Sequence, residues 1–352
     1  MAKQFKKHYD PREFEEFKRQ NLIRISTFED LVDAFIEDAK EAQFHRWQTG
    51  YKTIDNFLRL SRSDIVTIMS HTGGRKTQFT RNIVRANSPI LKDKLILVFS
   101  LEILEGDEGE RYLTMLLDDT GEKLEKEAIA DERVFRKRAL EKKLGNLITV
   151  TGSIDIADMI PFARTVEEVK EKKIGLIVLD YIQLVENDEK RNAYDQAGDV
   201  AKKLKKVNMV LQCPIINVSQ VHRSAAKGNI DMFSGKGSGE IENSSQVMLK
   251  LELPHPNERY KIEKGEPDWK KLPFGKDQEA VVNYLKSNRD IEMHKLTILK
   301  RKKVKYGVEQ PTCYIGFNKR NLAMIEFIPQ GKAPIIENPK EESKEEDDQL
   351  PF

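Results

Sequence analysis

The chain has 352 residues, 39% of them hydrophobic, which is enough for one large α/β domain with appendages or for two ordinary domains. No apolar run approaches the roughly 20 residues needed to cross a bilayer, and the opening MAKQFKKHYD lacks the hydrophobic stretch of a secretory signal, so a cytoplasmic protein without a membrane partner is expected. The formal charge of +2 hides an asymmetry: Glu337 to Phe352 carries seven acids against two lysines, a balance of −5, so residues 1–336 stand near +7, compatible with a polyanionic partner.

Residues 1–25 are polar and basic, broken by Asp10 and Pro11, and read as an arm without a core of its own. Over residues 26–46 the spacing predicts an amphipathic helix, capped by Ser26 with Glu29 three residues on, with Phe28, Leu31, Val32, Phe35, Ile36 and Ala39 along one face. That stripe needs a partner, either the rest of this domain or a neighbouring subunit. From 47 to 330, apolar strand candidates alternate with charged helical segments, the pattern of one α/β domain with a mostly parallel sheet and helices on both faces. The strands are read at Ile65 to Met69, Leu95 to Ser100, Leu147 to Thr151, Ile174 to Asp180, Ile215 to Ser219, Val247 to Leu253, Leu296 to Leu299 and Thr312 to Phe317. Lys227 to Glu240 and Pro254 to Lys276 read as irregular connections. Cys213 and Cys313 lack metal-ligand spacing and fit core packing. Residues 331–352 form an acidic tail with the composition of a disordered segment.

Two segments point to nucleotide chemistry. IGLIVLD is apolar without alternation, as in a strand covered on both faces, and ends in Asp180, where a carboxylate can hold Mg2+ beside phosphates. After the first strand comes Ser70, His71, Thr72, Gly73, Gly74, Arg75, Lys76 and Thr77, then a helix. A phosphate loop needs backbone N–H groups at a helix N-terminus, a lysine for the β- and γ-phosphates of ATP and a hydroxyl for magnesium, and Lys76 and Thr77 suit those roles. The standard G-x4-G-K-[ST] pattern is broken at Ser70 and at Arg75. At residue 75 a Cβ and a guanidinium either strain the loop or add a phosphate contact.

Taken in order, QTGYKTIDNFL, KTQFTRNI, VFSLE, LIVLDYIQLV, VAKKLKKVN, PIINVSQVHRS, GSGEIENSSQV and LTILKRKKVKYG resemble the ATPase domain of DnaB-type replicative helicases, ring-forming relatives of the RecA fold. The resemblance implies a RecA-like P-loop NTPase preceded by an amphipathic linker helix. It also implies a homo-oligomer, expected to be a hexamer, that uses ATP and Mg2+ to translocate on single-stranded DNA and unwind duplex. Glu102 would be the general base, Gln220 the γ-phosphate sensor, and Thr77 and Asp180 the magnesium ligands. A Lys-x-Arg pair reaching the neighbour's site aligns with Lys300 and Lys302, with Arg301 adjacent. Arg223, Lys236, Gly237, Ser238 and Gly239 would contact the DNA backbone. The resemblance further implies a reduced, phage- or plasmid-like form without the family's N-terminal collar. The terminal EEDDQLPF resembles the tip of bacterial single-stranded-DNA-binding proteins, which implies that Asp347, Asp348, Leu350, Pro351 and Phe352 engage replication or repair partners; the other reading is a solubilising tail. Two further functions stay open: a RecA-like recombination mediator that does not unwind, and a hydrolysis-deficient scaffold.

Overall fold

The computed structural model describes residues 26–58, 60–186, 193–221, 238–253, 287–302 and 313–327, with isolated positions between them. The expected basic arm, most of both irregular connections and the acidic tail lie outside these residues.

The first described element is helix α1 (Phe28–His45). Its cap sits one residue later than expected. The Asp30 N–H donates to Thr27 Oγ1 at 3.2 Å while the Thr27 N–H donates to the Asp30 carboxylate at 2.7 Å, a reciprocal pair that satisfies two donors at the helix start. Phe28 and Phe35, 76% and 66% exposed, and Leu31, Val32 and Ile36 beside them, face outward, so the apolar stripe does not pack on the described part of its own domain. An Asp38–Arg62 ion pair ties the helix to the body.

The chain then turns tightly into α2 (Lys52–Phe57). Asp55 organises this turn, accepting from the Thr49 N–H and hydroxyl at 2.8 Å each and from the Gly50 N–H at 3.0 Å. These bonds fix the QTGYKTIDNFL segment, and the Tyr51 ring stacks on Phe79 with centroids 5.1 Å apart.

Among the described residues the body is a nine-stranded sheet in the order β3-β2-β4-β5-β1-β6-β7-β8-β9. Strands β1 (Ile65–Ser70), β2 (Leu95–Ser100), β3 (Leu147–Thr151), β4 (Ile174–Asp180), β5 (Ile215–Gln220) and β6 (Val247–Glu252) are parallel. Strands β7 (Ile291–Arg301), β8 (Cys313–Asn318) and β9 (Met324–Phe327) continue the sheet antiparallel. Sequence periodicity finds only the centre of β7 and misses β9, whose four residues are too short to show alternation.

The parallel strands are apolar throughout because each face is covered. Val66 and Ile68 enter a core with Trp47, Phe79 and Ile83, while Ile65 and Met69 enter the opposite one with Leu179, Leu204 and Val207. Helix α3 (Lys76–Asn87) is buried along most of its length, polar residues included. Three of them bond to distant backbone: Gln78 and Asn82 donate to Leu322 O, and Asn87 exchanges bonds with Gln48. Helices α4 (Glu105–Leu117), α5 (Gly121–Ala130), α6 (Glu132–Glu141), α7 (Met159–Lys170), α8 (Ala193–Leu211) and α9 (Ser238–Ser244) complete the described residues. Among them, no helix is long and apolar enough to cross a membrane.

Candidate nucleotide site

Consecutive strands β1 and β2 are separated in the sheet by β4 and β5, whereas the chain leaves β5 and crosses β1 to form β6. Such a reversal opens a crevice at the carboxyl ends of the strands. There the register sets Ser70 beside Gln220 and Ser100 beside Asp180. The strand-end residues expected from sequence therefore meet along one edge.

The loop between β1 and α3 has the demands of a phosphate cradle. Gly73 has φ +77°, and a Cβ on Gly74 would lie 1.9 Å from Ser70 Oγ, so a side chain at 74 collides with the residue standing at the first glycine position. Arg75 is the N-cap of α3 with φ 61° and ψ 22°, the left-handed region, which costs a residue carrying a Cβ about 1–2 kcal/mol. The departure noted in sequence thus falls on a position whose backbone favours glycine.

The Arg75 side chain turns toward the antiparallel strands, away from the crevice. Its Nε donates to Glu292 Oε1 at 3.3 Å, and its guanidinium carbon lies 4.6 Å from the Phe317 ring centre. Glu292 and Phe317 are cross-strand partners on β7 and β8. His294, fully buried, places Nε2 2.9 Å from the same Glu292 oxygen. The His294 hydrogen bond, then Arg75, holds the Glu292 carboxyl down to about 2 against the opposing effect of burial. Of the two sequence alternatives for residue 75, the left-handed backbone supports strain, and the side chain spans to strands β7 and β8.

Lys76 Nζ donates to the His71 carbonyl at 2.8 Å. Burial pushes its ammonium down, while Asp180 and Glu102 oppose the shift, so both carboxylates act on this lysine. Burial likewise pushes the Asp180 carboxyl above its ordinary range, against a hydrogen bond from the Thr77 side chain and the charge of Arg81. Glu102 is exposed, two residues beyond β2, next to the Leu101 N–H that donates to the Asp180 carbonyl at 3.0 Å. Lys76, Thr77, Glu102 and Asp180 therefore share one charge environment at the mouth of the crevice.

These groups fit a Mg2+-nucleotide. The first-turn N–H groups of α3 have no partner within the helix and suit an anion, and Asp180, whose charged form burial disfavours, would be stabilised by a cation. Among the described residues no three His, Cys, Asp or Glu gather into a protein cage for a metal. A magnesium ion here would lean on Thr77, Asp180, phosphate oxygens and water, the usual shared coordination of that ion.

Several residues that sequence reasoning passed over support the site. Gln183, just after β4, donates to Ser219 Oγ at 3.1 Å and accepts from the Gln220 N–H at 3.4 Å, bridging β4 and β5 at the expected sensor. Arg81, one turn beyond Thr77, forms a buried bidentate pair with Glu108 of α4, and Glu108 also accepts from Ser100 Oγ at 3.0 Å. An arginine and a glutamate 27 residues apart carry no local signal of their pairing.

The basic cluster sits elsewhere. Lys300 pairs with Met248 and Arg301 with Val247, at the start of β6 and so at the opposite end of the sheet from the phosphate loop. Lys300 donates to Glu242 O at 2.5 Å, the Arg301 guanidinium lies 5.1 Å from the Phe57 ring centre, and Lys302 is exposed. None of the three joins the crevice of this chain. Ser238 and Gly239 begin α9, where an open DNA loop was expected. Arg223, Lys236, Gly237 and the tail residues Asp347, Asp348, Leu350, Pro351 and Phe352 lie outside the described residues.

Comparison with known proteins bears on the fold and the family. A plasmid relative from Chlamydia trachomatis, described as a probable plasmid replicative DNA helicase, is 26% identical over 236 residues, covering 64% of this chain and 49% of that protein. The replicative DNA helicase DnaB of Geobacillus stearothermophilus is 25% identical over 244 residues, covering 67% and 52%. The chain thus spans about half the length of the curated relatives it matches. A solved ATPase domain superimposes with a TM-score of 0.66 at 15% identity, covering 87% of this chain and 100% of that one. A DnaB-like replicative helicase, solved in a study of its interactions with primase, gives 0.62 at 16%, covering 86% and 67%. These two likenesses establish the RecA-like α/β fold. The DnaB-like helicase C terminal domain family matches residues 47–303, from the Asp55-bonded turn to the end of β7, and the chain belongs to that family.

Proposed function

We propose that this chain is the motor of a ring-shaped replicative helicase, hydrolysing Mg2+-ATP to move along single-stranded DNA in the cytoplasm and separate duplex ahead of it. The observation that carries this is the meeting of Lys76, Thr77, Glu102 and Asp180 at the carboxyl ends of β1, β2 and β4. Lys76 leaves the His71 carbonyl to hold the β- and γ-phosphates. Thr77 and Asp180 would hold magnesium, which when bound would offset phosphate charge. Glu102, open to solvent, takes the proton of the water aligned on the terminal phosphate. Gln220, fixed by Gln183, reports whether that phosphate is present.

Assembly follows from two features. Lys300, Arg301 and Lys302 are far from their own crevice along the strands, so any charge they lend to hydrolysis is lent to a neighbouring subunit. The outward apolar face of α1 suits a second copy of this chain, in a ring expected to be hexameric. Arg223, Lys236, Gly237, Ser238 and Gly239 contact the DNA sugar-phosphate backbone, and the acidic tip ending in Phe352 recruits a replication or repair protein. Strand displacement on a forked duplex with Mg2+-ATP tests the reading: release of the labelled strand supports it, while ATP turnover without release would favour the recombination-mediator alternative.

A further inference from the structure

A residue with a left-handed backbone in the middle of a phosphate loop needs something to hold it there, and in this chain the holder lies across the sheet. Arg75 carries that backbone at φ 61°. Its guanidinium is fixed on one side by the Glu292 carboxylate at 3.3 Å and on the other by the Phe317 ring at 4.6 Å. The register explains why these two meet: Glu292 and Phe317 are directly opposite on β7 and β8, so their side chains rise from the same face of the sheet. His294, two residues along the same strand and therefore on the same face, fixes the Glu292 oxygen at 2.9 Å and stands edge-on to Phe317. Glu292 is thereby pre-positioned. Its side chain is 15% exposed and that of Arg75 is 39%, so the contact is sheltered from water on the carboxylate side.

From this we infer that Glu292, seated by His294 and Phe317, is a positioning residue for nucleotide binding: it anchors Arg75 so that the phosphate loop keeps the left-handed turn that glycine would otherwise supply. The inference rests on the reading of residues 70–77 as the nucleotide loop. It makes Glu292 necessary only because residue 75 is not glycine. An ordinary packing role for Glu292 would make it equally necessary whatever stood at 75.

Strand β7 gives the anchor a reach beyond the loop. From Glu292 to Lys300 it runs eight residue steps, about 27 Å at 3.4 Å per residue, joining the loop anchor at one end of the sheet to the basic cluster at the other.

The test is a double-mutant cycle in full-length protein, read by equilibrium binding of a fluorescent ATP analogue with Mg2+, and with Lys76→Ala marking loss of the site. Glu292→Gln keeps an oxygen for His294 and removes the charge that holds Arg75. In the wild-type background it should weaken binding about tenfold, equivalent to about 1.4 kcal/mol. In the Arg75→Gly background the same change should move binding by less than about twofold, the scatter expected between uncoupled sites. Melting of the nucleotide-free proteins should show the same coupling, with Glu292→Gln lowering the midpoint only where Arg75 is present. Equal weakening on both backgrounds, or none with Arg75 present, overturns the inference. Loss of binding in Arg75→Gly to the level of Lys76→Ala also overturns it, since the guanidinium would then be acting on phosphate. A wild type that binds no nucleotide sinks the reading of the loop, and the melting cycle then decides the anchor by itself.

Discussion

Neutralising Glu108 should destabilise the domain far more than its distance from solvent chemistry would suggest. Its side chain is 4% exposed and that of its partner Arg81 is 3% exposed, and Arg81 reaches it with both Nε and Nη2. The carboxylate also accepts from Ser100 Oγ at 3.0 Å, and Arg81 Nη1 is buried with no hydrogen-bond partner among the described residues. In Glu108→Gln the guanidinium stays charged and buried, and its direct partner becomes a neutral amide, leaving the Tyr112 ring 5.8 Å away and the more distant charge of Asp180 to face it. Breaking a buried pair from one side costs about 3–5 kcal/mol, whereas replacing both partners with apolar groups of similar volume is near neutral. Urea unfolding of Glu108→Gln should therefore show a loss of about 3 kcal/mol, and the double variant Arg81→Met, Glu108→Leu should recover most of it. A single variant within about 0.5 kcal/mol of wild type, the range of ordinary surface substitutions, would refute the buried pair. So would a double variant as unstable as the single one.

Deleting residues 1–45 removes α1 with its outward Phe28 and Phe35, and should leave monomers in light scattering; hexamers that survive the deletion would refute the docking role of that face. Gly74→Ala places a Cβ 1.9 Å from Ser70 Oγ, so nucleotide binding should fall, and adding Ser70→Gly should restore part of it because the remaining close atom, the His71 carbonyl, is 3.0 Å away. Glu102→Gln should slow ATP hydrolysis by about 10² to 10⁴ while leaving the nucleotide dissociation constant within about threefold, as expected for a group that acts on the proton.

The parts of the fold legible in sequence are those where a local rule suffices. Largely apolar runs at IVTIM, LILVF and IGLIVLD signal strands covered on both faces, and those strands lie in the parallel part of the sheet, each between two neighbours. Lys76 and Thr77 after β1, with Asp180 closing β4, mark the crevice because chain order and strand ends are sequence properties. What stayed hidden depends on distant partners. That Arg75 would turn to Glu292 follows from β7 and β8 lying on that side of β1, which no window around residue 75 contains. The same holds for Arg81 with Glu108 and for Gln183 with Gln220. The cap of α1 slipped by one residue because Ser26 and Thr27 are both good caps, and the choice fell to whether Glu29 or Asp30 closes the reciprocal bond. Ser238 and Gly239, read as a loop from their glycine and serine content, lie in a helix whose Ile241 is buried in the core and whose Glu240 pairs with Lys202 at 3.1 Å.

The proposed DNA-driven motor requires the Arg75-containing loop to be a working nucleotide site. The most direct measurement is the rate of ATP hydrolysis with and without single-stranded DNA, in the wild type and in Lys76→Ala. The expected result is turnover that single-stranded DNA stimulates and that Lys76→Ala abolishes. Turnover no greater than that of Lys76→Ala, with or without DNA, would contradict it and leave a family fold that serves as a scaffold.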